Sequence, residues 1–250
     1  MSRRMMLGAA MLLALSGCTT GSPSAAPTPT STVAVPGAAC PAFTAAGKVV
    51  RFGHGLDGVV VGTGAAGVVL AHEADADLCY WAAVALELRD KGYRVLSFDF
   101  NGHGTAELTA RPFEEDVAEA VQLLRAEGAT TVALVGASMG GTSVLVAATQ
   151  LTPKPVAVVS LSAPFAFGAV GKSVLNVADE LTMPVLYLCG TGEPRFAEAA
   201  RQMSDATTAS ADRRLVLVTD NGHGVRLINP NTNALARKAF FEFLAAHAPV

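Results

Sequence analysis

The order of apolar and polar positions along the chain predicts alternating strands and helices. Residues 49–52 and 59–62 are short β-rich runs flanking Gly53-His54-Gly55-Leu56-Asp57-Gly58, the pattern of an antiparallel hairpin with a generous turn. Residues 67–71 are continuously apolar, as expected of a strand buried on both faces. In 76–91, Leu78, Trp81, Ala82, Ala85 and Leu88 recur at steps of three and four, which predicts a helix stopped by Gly92. The unit then repeats. Strands are predicted at 93–98, 131–135, 156–161, 184–188 and 215–218. Helices are predicted at 112–127, 139–150, 196–203 and 233–247, with a modest one at 174–181. The helix at 112–127 has Pro at its start, acids in its first turn and Gly128 at its end. Strands alternating with helices of this length argue for a mostly parallel sheet of about eight strands, covered on both sides. All the C-terminal strand ends then share one edge, where sites form in open α/β sheets.

The first forty residues change the picture. Met1-Ser2-Arg3-Arg4 is a positive segment, and residues 5–15 are an apolar stretch too short to cross a bilayer. It ends in Leu15-Ser16-Gly17-Cys18, which resembles a bacterial lipobox. The resemblance implies a lipoprotein signal peptide over 1–17, lipidation of Cys18 and an anchor on the extracytoplasmic side of the cell membrane. Ordinary secretion with cleavage nearby is the alternative. Residues 18–39 are rich in Thr, Ser, Pro, Ala and Gly without a charge, so they read as a tether, leaving 40–250 as one globular domain. A formal net charge of −3 offers no basic patch, which disfavours a nucleic-acid partner. Of the cysteines beyond Cys18, Cys189 falls inside an apolar strand, so Cys40 with Cys79 is the favoured disulfide, although sequence does not fix connectivity.

The strand at 131–135 runs into Gly136-Ala137-Ser138-Met139-Gly140-Gly141 and then a helix. This matches the Gly-x-Ser-x-Gly nucleophile elbow of the α/β-hydrolase superfamily. Such a turn strains the serine backbone and lifts its hydroxyl clear at a helix N-terminus. Asp99-Phe100-Asn101-Gly102-His103-Gly104 resembles the Asp-x-x-Gly-His-Gly segment of many members, and Leu70-Ala71-His72-Glu73 sits where the family has His-Gly. The resemblance covers roughly 48–250 in the right order. It implies Ser138 as nucleophile and His223, in the glycine-flanked turn after the last strand, as general base. Cys189-Gly190-Thr191-Gly192-Glu193-Pro194 resembles the family's Gly-x-x-Asp-Pro turn with Glu for Asp, so Glu193 is the implied acid and Asp220 its substitute. Asp99, His72 and His103 match structural positions. The oxyanion donors implied are the N–H groups of Met139 and Ala74, or Glu73 if the register slips by one.

Two departures stand out. Residues 72–77 carry Glu73, Asp75 and Asp77 beside the implied oxyanion site, read either as a solvated loop with Asp77 capping the next helix or as acids meeting a cationic substrate group. Only 162–171 separates the sixth strand from the next helix, so no sizeable lid fits; Phe165 and Phe167 could line an acyl pocket or pack the loop. The resemblance implies a serine hydrolase, expected to be a carboxylesterase acting on small-molecule or lipid esters as a monomer without cofactor or metal. A peptidase or amidase on the same triad, or an envelope-bound binding protein with an impaired oxyanion hole, are the alternatives.

Overall fold

The computed structural model describes residues 35–250. The expected signal peptide, Cys18 and most of the expected tether lie outside the described residues. Eight strands form one sheet: β1 (Lys48–Phe52), β2 (Leu56–Val61), β3 (Ala66–Ala71), β4 (Arg94–Asp99), β5 (Thr131–Ala137), β6 (Ala157–Leu161), β7 (Val185–Gly190) and β8 (Arg213–Val218). Their order is β1-β2-β4-β3-β5-β6-β7-β8. β2 runs antiparallel to both β1 and β4, and all other pairs are parallel. Every residue of β2, β3, β6 and β7 is buried, the consequence of helices on both faces.

The period-2 alternation of each strand feeds two cores. From β3, Val69 and Ala71 join one core, while Val68 and Leu70 join the other. α3 (Phe113–Ala126), α4 (Met139–Gln150) and α5 (Pro194–Ala206) close the first face. α1 (Pro41–Ala45), α2 (Ala82–Asp90) and α6 (Ala234–His247) close the second, with Phe43, Trp81, Phe240 and Phe243 fully buried there. Among the described residues no helix is long and apolar enough to cross a membrane.

Three elements differ from the sequence expectation, each for a local reason. The hairpin turn is tighter, because Gly53 and Gly55 take positive φ (53° and 91°) and β2 starts at Leu56. Asp57 and Gly58 belong to the strand, with Asp57 turned inward to accept from the Thr105 hydroxyl at 2.8 Å. The helix expected from residue 76 begins as a 3₁₀ turn, Leu78–Trp81, before α2. Its backbone groups are diverted: Leu78 N–H donates to Asp99 at 2.6 Å, Cys79 N–H donates to Asp77 at 2.8 Å, and the Leu78 carbonyl accepts from Ser97 Oγ at 2.8 Å. The modest helix at 174–181 is two 3₁₀ turns, Val174–Asn176 and Ala178–Glu180. Its first N–H is drawn to the Phe165 carbonyl at 2.7 Å. No further structured element separates β6 from β7, so nothing in the described chain covers the sheet edge as a lid.

A disulfide joins Cys40, at the entrance to α1, to Cys79 in the 3₁₀ turn, 39 residues on. It fastens the start of the domain to the segment that follows the β3 loop. Replacing both cysteines by serine should lower unfolding free energy by about 2–4 kcal/mol, read from urea denaturation. An unchanged midpoint would show that the denatured chain gains nothing from the cross-link.

Candidate active site

The site is assembled at the C-terminal edge of the parallel strands. At the β5–α4 turn, Ser138 adopts φ 49° and ψ −115°, a left-handed conformation that a non-glycine residue holds only when its surroundings enforce it. The flanking glycines show the constraint. A Cβ on Gly136 would lie 2.2 Å from the Gly140 carbonyl oxygen, and one on Gly140 would lie 2.3 Å from the Ala71 carbonyl oxygen. Only bare backbone lets β5 turn this sharply while α4 abuts the end of β3. Ser138 N–H is fixed to the Leu161 carbonyl at 2.8 Å.

β8 lies three strands away from β5, yet its loop reaches back. After His223, the 3₁₀ turn Gly224–Leu227 lies against the ends of β5, β6 and β7, with Val225 and Leu227 buried in the core. Gly224 has φ 52°, and a Cβ there would lie 3.1 Å from that of Ala137, next to the nucleophile. His223 and Ser138 thus line one cleft of about 310 Å³ with Glu73, Ala74, Asp75, Tyr80 and Arg226. No hydrogen bond joins the Ser138 hydroxyl to His223; nucleophile–base bonds of this kind often tighten only when substrate binds.

The β7–α5 turn delivers the carboxylate. Both Glu193 oxygens lie against His223 Nδ1, at 2.9 and 2.8 Å. That contact calls for a donating Nδ1, which leaves Nε2 as the acceptor nitrogen of the neutral ring. Asp220 is occupied elsewhere: its side chain accepts from Gly222 N–H at 2.6 Å and from Asn233 Nδ2 at 3.0 Å, bonds that hold its carboxyl below the usual range. Its backbone carbonyl accepts from Gly192 N–H at 2.9 Å, so Asp220 shapes the two loops that bring Glu193 and His223 together.

Ala74 N–H donates to nothing among the described residues, and Met139 N–H opens α4, where no preceding helix carbonyl can accept it. Gly140 packs against the carbonyls of Ala71 and His72, so the first turn of α4 abuts the start of the β3 loop. His72 is buried and held neutral, with its pKa lowered to about 4 by burial. Its Nδ1 donates to the Glu73 carbonyl at 2.8 Å and its Nε2 accepts from Phe100 N–H at 3.1 Å, so it anchors the loop and has no free base. His103 packs on His72 and Phe113.

The acidic loop is not uniformly solvated. Asp75 is exposed and Asp77 caps the 3₁₀ turn, but Glu73 turns inward and accepts from Val225 N–H at 3.3 Å. Burial pushes the Glu73 carboxyl up, opposed by the adjacent His223. The two phenylalanines divide as well. Phe167 stacks on Phe113 against the core, whereas Phe165 is 42% exposed and lines a second cavity of about 280 Å³ with Phe196. The Phe196 ring lies 4.6 Å from the His223 ring. Phe196, Tyr80 and Arg226 were not singled out by motif; each lies within three residues of a motif position or a core aromatic, the one signal available. Two larger concavities, near Arg111 and near Glu119, contain no serine and no nucleophile–base pair. Among the described residues no group of three potential ligands is placed to hold a metal ion.

The family model described as "Alpha/beta hydrolase family" matches residues 68–218, from β3 to the end of β8. The chain belongs to the alpha/beta hydrolase family. No curated protein sequence matches it. Among solved structures, this hydrolase is similar to an esterase of Pyrococcus furiosus at 17% identity, with TM-score 0.69, covering 80% of this chain and 90% of that one. A monoacylglycerol lipase of Paleococcus ferrophilus is similar at 19% identity and TM-score 0.64, covering 77% and 99%. An enol-lactonase of Burkholderia xenovorans LB400 is similar at 16% identity and TM-score 0.64, covering 78% and 100%. At these identities the likeness concerns the fold.

The neighbouring loop after β4 has a pH signature. Asp99 is buried at the end of β4, where it accepts from Leu78 N–H and from Thr105 N–H at 3.1 Å, and burial pushes its carboxyl up from 3.8 to about 6. A carboxyl that binds its proton more tightly when folded stabilises the fold at low pH and loses that contribution as pH rises through about 4 to 6. The stability difference between wild type and Asp99→Asn should therefore change by up to about 3 kcal/mol across that window. Urea titrations at pH 4, 5, 6 and 7 check this; parallel curves for the two proteins would refute it.

Proposed function

We propose that this hydrolase cleaves carboxylic esters through an acyl-enzyme on Ser138, with His223 as general base and Glu193 as the triad acid. The observation that carries the reading is the bidentate approach of Glu193 to His223 Nδ1 in the cleft that also holds the strained Ser138. Ser138 Oγ attacks the acyl carbon while His223 Nε2 takes the hydroxyl proton. The negative charge forming on the carbonyl oxygen is met by the N–H groups of Met139 and Ala74. Collapse expels the alcohol, which receives the proton from His223. Water, deprotonated by the same imidazole, then releases the acid and restores Ser138. Glu193 keeps Nδ1 protonated and balances the imidazolium without itself taking the proton.

Substrate size follows from the two cavities beside the triad. The Phe165–Phe196 cavity of about 280 Å³ lies at the small end for ligand sites, which suits an acyl group of modest length. The solved structures named as esterase and lipase support ester chemistry as a class. We further propose that Cys18 carries a lipid anchor on the extracytoplasmic face of the membrane, placing the enzyme near lipid or cell-envelope esters; the lipobox-like sequence supports this. A lipidated Cys18 would be seen as an acyl-modified N-terminal peptide by mass spectrometry.

With p-nitrophenyl esters of increasing acyl length, kcat/KM should peak at short to medium chains. Ser138→Ala should remove turnover by about 10⁴-fold or more, and Glu193→Gln should lower kcat by about 10²–10⁴-fold. Near-wild-type turnover in Glu193→Gln would return the acid role to Asp220. Absence of both turnover and fluorophosphonate labelling at Ser138 in the folded wild type would favour the binding-protein alternative.

A further inference from the structure

The residue that departs most from the family pattern, Glu73, is tied to the loop that carries the base. Its backbone belongs to the β3 loop, but its carboxylate crosses to the other side of the cleft and accepts from Val225 N–H, two residues after His223. The space beside Gly224 is filled by the same group: a Cβ at Gly224 would lie 2.0 Å from Glu73 Oε2. Gly224 therefore has two reasons to be glycine, its positive φ and this carboxylate. Glu73 joins the loop bearing the candidate oxyanion donor Ala74 to the loop bearing the candidate base, a connection absent when this position is glycine.

The carboxylate also enters the charge balance of the cleft. Glu193 faces the imidazole from the β7–α5 turn, and the Phe196 ring packs on it without charge. From the cleft side the groups are Glu73 and Asp75 on the β3 loop, Tyr80 on the following 3₁₀ turn, and Arg226 on the His223 loop. Arg226 Nε donates to the Tyr80 hydroxyl at 3.2 Å, at the exposed mouth. Asp75 is exposed and screened, whereas Glu73 is half-buried in the same cleft as the imidazole.

We propose that Glu73 is a positioning residue for the base: it latches the 223–225 backbone beside the nucleophile turn and supplies a second negative charge to the imidazolium formed during acyl transfer. The inference rests on the serine-esterase reading for its catalytic consequence, but the latch and the charge are properties of the resting protein. An anion on the oxyanion side opposes the oxyanion itself, and the hydrogen bond to Val225 N–H turns its charge toward the base.

Two substitutions separate latch from charge. In Glu73→Gln the amide oxygen can still accept from Val225 N–H, whereas Glu73→Ala loses both functions. In the full chain, with folding checked by thermal unfolding, the pH response of the His223 ring resonances in ¹H–¹⁵N spectra should move to lower pH in both variants relative to wild type. The acid limb of the pH profile of kcat/KM should move the same way. Turnover should fall by about ten-fold in Glu73→Ala and less in Glu73→Gln. Unchanged ring titration in folded Glu73→Gln would overturn the charge role, and equal kcat in wild type and Glu73→Ala would overturn the latch. The ring titration needs no turnover, so it decides on Glu73 even if no ester is hydrolysed, a result that would count against the esterase reading alone.

Discussion

The site depends on one steric constraint, the passage of β5 into α4 with no room for a side chain on either flank of Ser138. Gly136 and Gly140 meet backbone to backbone, and Gly140 in turn meets the carbonyls at the end of β3. That contact fixes three things together. It forces the positive φ of Ser138, aims the N-terminus of α4 at the cleft, and sets Met139 N–H beside the loop that offers Ala74 N–H. The strain is borne by what surrounds it: a sheet buried on both faces and an N–H bond from Ser138 to β6.

Around that turn, the strand order distributes the remaining work. β3 and β5 are neighbours, so the two candidate oxyanion donors come together without any long reach. β7 and β8 are neighbours, so Glu193 and His223 come together in the same way. The two pairs are separated by β6, and the span is closed by the apolar turn Gly224–Leu227, anchored through buried Val225 and Leu227. Glu73 adds a polar tie across the same gap. The geometry of the candidate site is therefore an outcome of backbone packing first and of side-chain hydrogen bonds second.

Most of this architecture was legible along the chain, because buried parallel strands are written as apolar runs and helices as three-to-four spacing. Met139 to Gln150 as a helix, the strand before it and the glycines around Ser138 all follow from local pattern. What failed locally was decided at a distance. The start of α2 is tightened by Asp99 and Ser97, which lie on a strand some twenty residues away and take the backbone bonds a regular helix would have used. Asp57-Gly58 has the composition of a turn but is drawn into β2 by Thr105. The same holds at the site. Gly-x-Ser-x-Gly and the glycine-flanked His223 are short-range signals, whereas the choice between Glu193 and Asp220 turns on which carboxylate is free once the loops have packed. Glu73 was visible as an oddity, but its partner is 152 residues away and no spacing rule connects them.

The stretch between β6 and β7 contains only two 3₁₀ turns, so among the described residues no helical insertion from it roofs the cleft. An enclosed hydrolase can shield its acyl-enzyme and hand the acyl group to a chosen alcohol. In the mechanism proposed above, bulk water could reach an acyl group on Ser138 once the first product leaves and would compete with other acceptors. On that reading, water is the acceptor an open cleft favours, and selectivity rests with the walls of the cleft and not with a moving cover.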